Sequence, residues 1–269
     1  MTNKIPPTPE EKLVISSISA FIELSGGQPL DRWKINLQLP IEDRISTKKI
    51  FMRGPKEWYV ASTTSIIQRC FFYIPTIYLA SDIWIKNFHS DTPSNKLLHA
   101  AFVSSIITPG VSWFENMKTE QQIGNNRNKS MAKLTKIHYL KYGIGGVIPS
   151  LQATFLRESA FCGGICCITP IIHNKIKQYD YCNTNLNWAI SGAMAGLITQ
   201  LISQPFDTIK TRQEKTKMGF IPTYKNIYMQ GGFLELWKGS IPRCIRGIWT
   251  LSILSVCNNY LSQLLQSTR

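Results

Sequence analysis

The sequence predicts an all-α membrane protein with six transmembrane helices in three pseudo-repeats. Apolar stretches near the length of about 20 residues that crosses a bilayer recur along the chain. Basic residues cluster in alternate connecting segments, and a short motif of proline, aspartate and lysine ends two of the stretches. We therefore expect one repeat in each of the ranges 1–90, 91–180 and 181–269.

The predicted spans differ in charge. Two contain no charged residue and extend from Leu97 to Phe114 and from Leu186 to Phe206. Four weaker candidates carry one or two charges each and extend from Leu13 to Leu30, Trp58 to Ala80, Thr154 to Ile172 and Pro242 to Leu261. Because the mean hydropathy of the chain is only -0.08, the spans must be amphipathic, with polar faces turned to a shared interior. A soluble protein with buried amphipathic helices remains the alternative.

The positive charge of the chain is distributed unevenly. The net charge of +14 suits nucleic acid, an anionic membrane surface or anionic substrates. The basic residues concentrate in the segments after the first, third and fifth spans, whereas the segments after the second and fourth are short and nearly neutral. This bias places the basic segments on one side of the membrane. Since these residues lie in loops between spans, we expect no nucleic-acid partner.

Residues that could support catalysis are scattered. The seven cysteines lack the paired spacing of a metal site, and the four histidines are far apart in the chain. No nucleophile motif or phosphate-binding glycine loop is present, so we expect no enzyme, metal or cofactor. The segment from Met1 to Lys12 lacks both an apolar core and an arginine-rich amphipathic pattern, and we expect no cleaved targeting segment.

A proline motif recurs where the first and fifth spans end. Its residues are Pro29, Asp31 and Lys34 in the first copy and Pro205, Asp207 and Lys210 in the second. The third span keeps Pro109 but carries Val111 and Phe114 at the two charged positions. Proline kinks a helix, and an acid and a base three residues apart lie on one helix face. Because unpaired charges within a membrane are costly, we expect these charges to pair across helices.

This pattern resembles the mitochondrial carrier family, whose odd helices end in this motif in three repeats of about a hundred residues. Trp237, Lys238 and Gly239 match the aromatic, basic and glycine step into an even helix of the family. Gly192 and Gly196 match the small-residue face of an odd helix. The resemblance implies the mitochondrial carrier fold, in which each hairpin carries a short matrix-side helix. It also implies a multi-pass protein of the mitochondrial inner membrane, or of a host's if the chain is a secreted microbial effector.

The resemblance further implies a matrix gate formed by the odd-helix charges. By the family's pairing scheme, Lys34 bridges to Asp207. Asp31 and Lys210 would instead face apolar residues of the third span. We therefore predict one ion pair of three and a weak gate, helped by Glu115. Of the gate at the opposite end, only the acid Asp82 remains, which leaves open whether transport is antiport or uniport.

Three arginines mark the predicted substrate site. Arg69, Arg157 and Arg246 recur at spacings of 88 and 89 residues, one in each repeat, halfway along apolar stretches. Three converging guanidinium groups would bind phosphate or carboxylate groups. Internal pairing with Glu23 or Glu158 is the alternative.

Neighbours of these arginines point to two substrate classes. Arg246 with Gly247 looks like the nucleotide carriers of the family, whereas Arg157 with Glu158 resembles the pair in its amino-acid carriers. We expect alternating-access transport of an anionic metabolite, with a nucleotide such as ATP or ADP as first choice. The alternatives are an amino-acid or carboxylate carrier, and a carrier-derived receptor or scaffold that does not transport. We expect membrane lipid, with cardiolipin as the candidate, as a second partner, and a monomer.

Overall fold

The structure is a computed structural model that describes residues 9–52, 54–88, 92–122, 129–163, 167–178 and 184–250. Within these residues, all regular secondary structure is helical. The helices are, in chain order, α1 (Pro9–Gln38), α2 (Thr47–Met52), α3 (Pro55–Trp58), α4 (Ser62–Ile66), α5 (Ile74–Asn87), α6 (Pro93–Gln122), α7 (Met131–Tyr142), α8 (Ile148–Gly163), α9 (Thr169–Lys177), α10 (Thr184–Thr216), α11 (Phe220–Gly231) and α12 (240–250). Short 3-10 helices cover Ile41–Asp43, Ile144–Gly146 and Phe233–Trp237.

The long helices α1, α6 and α10 contain the predicted odd spans. They have 30, 30 and 33 residues, and each continues through its internal proline, which is Pro29, Pro109 or Pro205. At a rise of about 1.5 Å per residue they are longer than the hydrocarbon thickness of about 30 Å. Each therefore extends beyond the predicted apolar stretch and ends in polar turns.

The return helices are less regular. The second span begins at α4 and continues through a π-helical segment, Ile67–Tyr73, into α5. It therefore starts four residues after the predicted Trp58 and extends beyond Ala80. The fourth span corresponds to α8 and α9, and the sixth begins with α12. Residues 251–261 of the predicted sixth span lie outside the described residues.

Each hairpin also carries a short connecting helix, as expected. These helices are α2, α7 and α11, and they follow the ends of α1, α6 and α10. We call the end of the bundle where they lie the basic end. A small apolar cluster of Ala153, Ile209, Ile227 and Leu236 packs α11 and the 3-10 helix Phe233–Trp237 against α8 and α10 there. The cluster holds one connecting helix in place.

The distribution of polarity is inverted relative to a soluble protein. Large apolar side chains such as Phe71, Leu98 and Ile241 lie exposed on the outside of the helices. Charged side chains such as Asp31 and Asp207 are buried in the interior. Exposed apolar surface on this scale suits contact with lipid, and a polar interior suits a solute path.

Among the described residues, one helix, Ser94–Gln122, is long and apolar enough by composition to cross a membrane. The other long helices, α1 and α10, also carry charged side chains that are buried, such as Asp31 and Asp207. Buried charges within long helices suit a shared polar interior.

Candidate functional site

A cavity of about 330 Å³ lies between the helices, and nearly half of the residues that line it are charged. Its lining includes seven basic residues, which are Lys34, Arg69, Lys118, Arg157, Lys210, Arg243 and Arg246. It includes five acidic residues, which are Asp31, Glu115, Glu158, Asp207 and Glu214. The lining therefore has an excess of two positive charges, which favours an anionic solute.

The predicted pair between the first and third repeats is confirmed. Lys34 Nζ lies 2.7 Å from an Asp207 carboxylate oxygen, and both residues come from the proline motifs of α1 and α10. Gln38 donates a hydrogen bond of 2.6 Å to the same carboxylate. Asp207 is almost fully buried, so these contacts replace its lost hydration.

The expectation that the other two motif charges face apolar residues is wrong. Lys118 Nζ lies 2.5 Å from Asp31, and Lys210 forms an ion pair with Glu115. Glu115 was expected to assist the gate, whereas Lys118 was not foreseen as a partner. The predicted single ion pair is therefore corrected to three pairs between helices.

The correction has a simple geometric cause. Glu115 and Lys118 follow Val111 and Phe114 by four residues, and an α-helix turns once in about 3.6 residues. The acid and the base of α6 therefore lie on the expected face, one turn closer to the basic end. We call the resulting set the charge ring: Asp31, Lys34, Glu115, Lys118, Asp207 and Lys210.

Two of the three predicted arginines share one acid. Arg69 Nη1 lies 3.0 Å from Glu23, and Arg246 lies 3.4 Å from the same carboxylate. Arg246 also forms an ion pair with Asp31 of the charge ring. Arg69, whose side chain is 33% exposed, retains the most donor surface towards the cavity.

Arg157 contacts three acids. It pairs with Glu158, lies 3.0 Å from Glu115 and lies 3.2 Å from Asp207. Tyr73 donates a hydrogen bond of 3.1 Å to Glu158. The predicted convergence of the arginines on one cavity is confirmed, and so is the alternative that they pair internally with Glu23 and Glu158.

Two other predicted residues have different surroundings. Gly247 lines the cavity, and a side chain in its place would meet the amide of Gln200 on α10. Glycine at this position leaves room for the Gln200 side chain between α12 and α10. Asp82 lies at the opposite end, where it is exposed and forms an ion pair of 2.6 Å with Lys86 of the same helix. It is not among the residues that line the cavity.

Sequence reasoning missed Arg243. Its guanidinium donates hydrogen bonds of 2.8 Å to Ser203 and 3.1 Å to Gln204, and it lies 3.7 Å from Asp207. From the sequence it counted only as one of the two charges within the predicted span from Pro242 to Leu261. Its spacing of three residues from Arg246 was a usable signal, because such residues share a helix face.

A second ionic cluster lies at the basic end, outside the spans. Glu235 pairs with Arg44, lies 3.1 Å from Arg212 and lies 2.5 Å from Lys238. Burial opposes ionisation of Glu235, but the hydrogen bonds from Lys238 and Arg44 hold its pKa below its ordinary value. The cluster connects the segment after α1 to the segment after α11.

Comparisons with known proteins agree with this architecture. A family profile described as mitochondrial carrier protein matches residues 183–269. An uncharacterized mitochondrial carrier of Schizosaccharomyces pombe is 27% identical over 266 residues, which cover 89% of this chain and 88% of the relative. These matches support this chain as a divergent member of the mitochondrial carrier family.

Other relatives of the carrier have named substrates. Mitochondrial citrate transporter A of Aspergillus niger is 24% identical over 272 residues, which cover 92% of the carrier and 89% of the relative. The mitochondrial glycine transporter of Mus musculus is 25% identical over 242 residues, which cover 81% and 73%. The resemblance to this family implies the six-helix carrier fold.

Proposed function

We propose that the carrier transports a small carboxylate across the mitochondrial inner membrane by alternating access. The observation that carries this proposal is the convergence of Arg69, Arg157 and Arg246 on one cavity with an excess of two positive charges. Guanidinium groups bind carboxylates through paired N–H donors. A cavity with excess positive charge suits a small carboxylate anion.

A carboxylate is better supported than the nucleotide that the sequence suggested. The cavity of about 330 Å³ lies at the small end of the range of about 300–1,000 Å³ for small-molecule sites. The relatives compared above are named for citrate and glycine. The arginines are also paired with acids, which reduces the net positive charge available to bind a triphosphate.

The pairing of the arginines supports a mechanism for opening. Arg246 binds Asp31, and Arg157 binds Asp207, so both arginines contact acids of the charge ring. A substrate carboxylate that binds these guanidinium groups competes with the ring acids. Binding therefore weakens the closed basic end, and this differential interaction biases the equilibrium towards the state open on that side.

An amino acid is the second candidate, favoured by one observation. Glu158 lies beside Arg157 and accepts a hydrogen bond from Tyr73. An acid next to a base can bind the ammonium and the carboxylate of one zwitterion. Uptake of glycine or aspartate in preference to citrate would favour this candidate.

The test is uptake by the purified carrier in liposomes. Labelled citrate, malate, 2-oxoglutarate, glycine, aspartate and ATP are offered with and without internal substrate. Arg69→Ala should abolish uptake of the transported anion, whereas Lys225→Ala, at an exposed position of α11, should not. Dependence on internal substrate indicates antiport. If the folded carrier moves no anion, the transport proposal fails and a receptor or scaffold role replaces it.

A further inference from the structure

Glu23 is a buried acid in the middle of α1, two turns before Asp31, and it belongs to neither the proline motif nor the charge ring. We propose that Glu23 determines whether the carrier prefers mono-, di- or tricarboxylates. Its negative charge cancels one of the two positive charges on the substrate-facing Arg69 and Arg246. The inference rests on the proposed carboxylate transport and identifies a specificity-determining residue for it.

The carboxylate of Glu23 is fixed by contacts from two repeats. Arg69 Nη1 lies at 3.0 Å and Arg246 at 3.4 Å. Thr250 donates a hydrogen bond of 2.6 Å to the carboxylate, and Trp249 Nε1 donates one of 3.2 Å to the backbone oxygen of Glu23. Glu23 is 0% exposed. A buried carboxylate held this way stays in place while substrate binds the exposed side of the arginines.

The remaining charge follows from these contacts. Arg69 and Arg246 together carry two positive charges, and Glu23 removes one of them. Arg246 is further balanced by Asp31, whose own second partner is Lys118. The exposed donors of Arg69 therefore provide one carboxylate contact, and Glu23 prevents a second positive charge from acting on the substrate.

Removing this charge changes the affinity for each anion by a different amount. Glu23→Gln deletes a unit charge that lies about 10 Å from the substrate. At an effective dielectric constant of about 20, this deletion changes the affinity on the order of tenfold for each charge that the substrate carries. A loss of structure would instead affect mono-, di- and tricarboxylates alike. The ratio of their KM values therefore separates the two roles.

The experiment measures KM for pyruvate, malate and citrate in liposomes at constant pH and ionic strength. In Glu23→Gln, the KM of citrate relative to that of malate should fall about tenfold. Thr250→Val removes the hydrogen bond without changing charge, and Glu23→Asp keeps the charge. Both should retain the relative KM values of the unmodified carrier.

Each outcome decides the inference. Equal changes in all three KM values in Glu23→Gln, or a shifted ratio in Glu23→Asp, would overturn it while leaving carboxylate transport intact. If the unmodified carrier takes up none of the three anions, the proposed function fails first. If Glu23→Gln does not assemble, Glu23→Asp still tests whether charge alone preserves the preference.

Discussion

Replacement of Glu115 by glutamine tests the charge ring most directly. Glu115 stands one turn beyond the position that the motif assigns to an acid, and it holds both Lys210 and Arg157. Glu115→Gln keeps the shape of the side chain and removes its charge. If the ring closes the basic end, the variant should unfold more easily and should leak substrate without internal counter-substrate.

The magnitude follows from the burial of the partners. The Lys210 side chain is 5% exposed, and removing one partner of a buried ion pair costs about 3–5 kcal/mol. Lys210 keeps Glu214 at 3.2 Å, and Arg157 keeps Asp207 at 3.2 Å. We therefore expect a lower cost of about 2–3 kcal/mol. At about 2–4 °C per kcal/mol, Tm should fall by roughly 5–10 °C.

The assay is thermal unfolding in detergent, with Asp82→Asn as the matched control. That change breaks the Asp82–Lys86 pair, whose side chains are 60% and 72% exposed, so its cost should stay below about 1 kcal/mol. If Glu115→Gln and Asp82→Asn lower Tm by the same small amount, the charge ring does not stabilise the closed basic end. Apolar contacts would then close it.

Three further predictions concern packing, pH and backbone strain. Gly110→Ala should lower Tm, because its methyl group would overlap the ring of Phe72 at a cost of about 1–3 kcal/mol; an unchanged Tm would contradict this contact between α6 and the π-helical segment. The pKa of Glu235 lies below its ordinary 4.5, so its stabilisation is present above that pH and is lost on further acidification. Between neutral pH and a pH of about 3, the free energy of unfolding should therefore fall further for the unmodified carrier than for Glu235→Gln. Equal falls in the two proteins would contradict the role of this carboxylate. Ala61 has a φ of +69°, so Ala61→Gly should raise stability by about 1 kcal/mol, whereas Ala80→Gly in α5 should lower it by a similar amount.

The sequence predicted much of the architecture because its signals are local. The apolar stretches that contain a proline predicted long helices, which are present as α1 and α10. The repeated motif predicted the ion pair of Lys34 with Asp207. The spacing of Arg69, Arg157 and Arg246 also placed them correctly on one cavity. These inferences needed only helix periodicity and the cost of an unpaired charge within a membrane.

Partner choice, in contrast, was decided by the tertiary structure. A motif counted from Pro109 assigns Val111 and Phe114 to the ring, yet residues one turn further along lie on the same face. Only the position of α6 relative to α1 and α10 brings Glu115 to Lys210 and Lys118 to Asp31. Glu23 was likewise visible as a charge in a span, but its two arginine partners come from different repeats. Sequence fixes which charges a helix carries and on which face, whereas the axial offset between helices selects which of them meet.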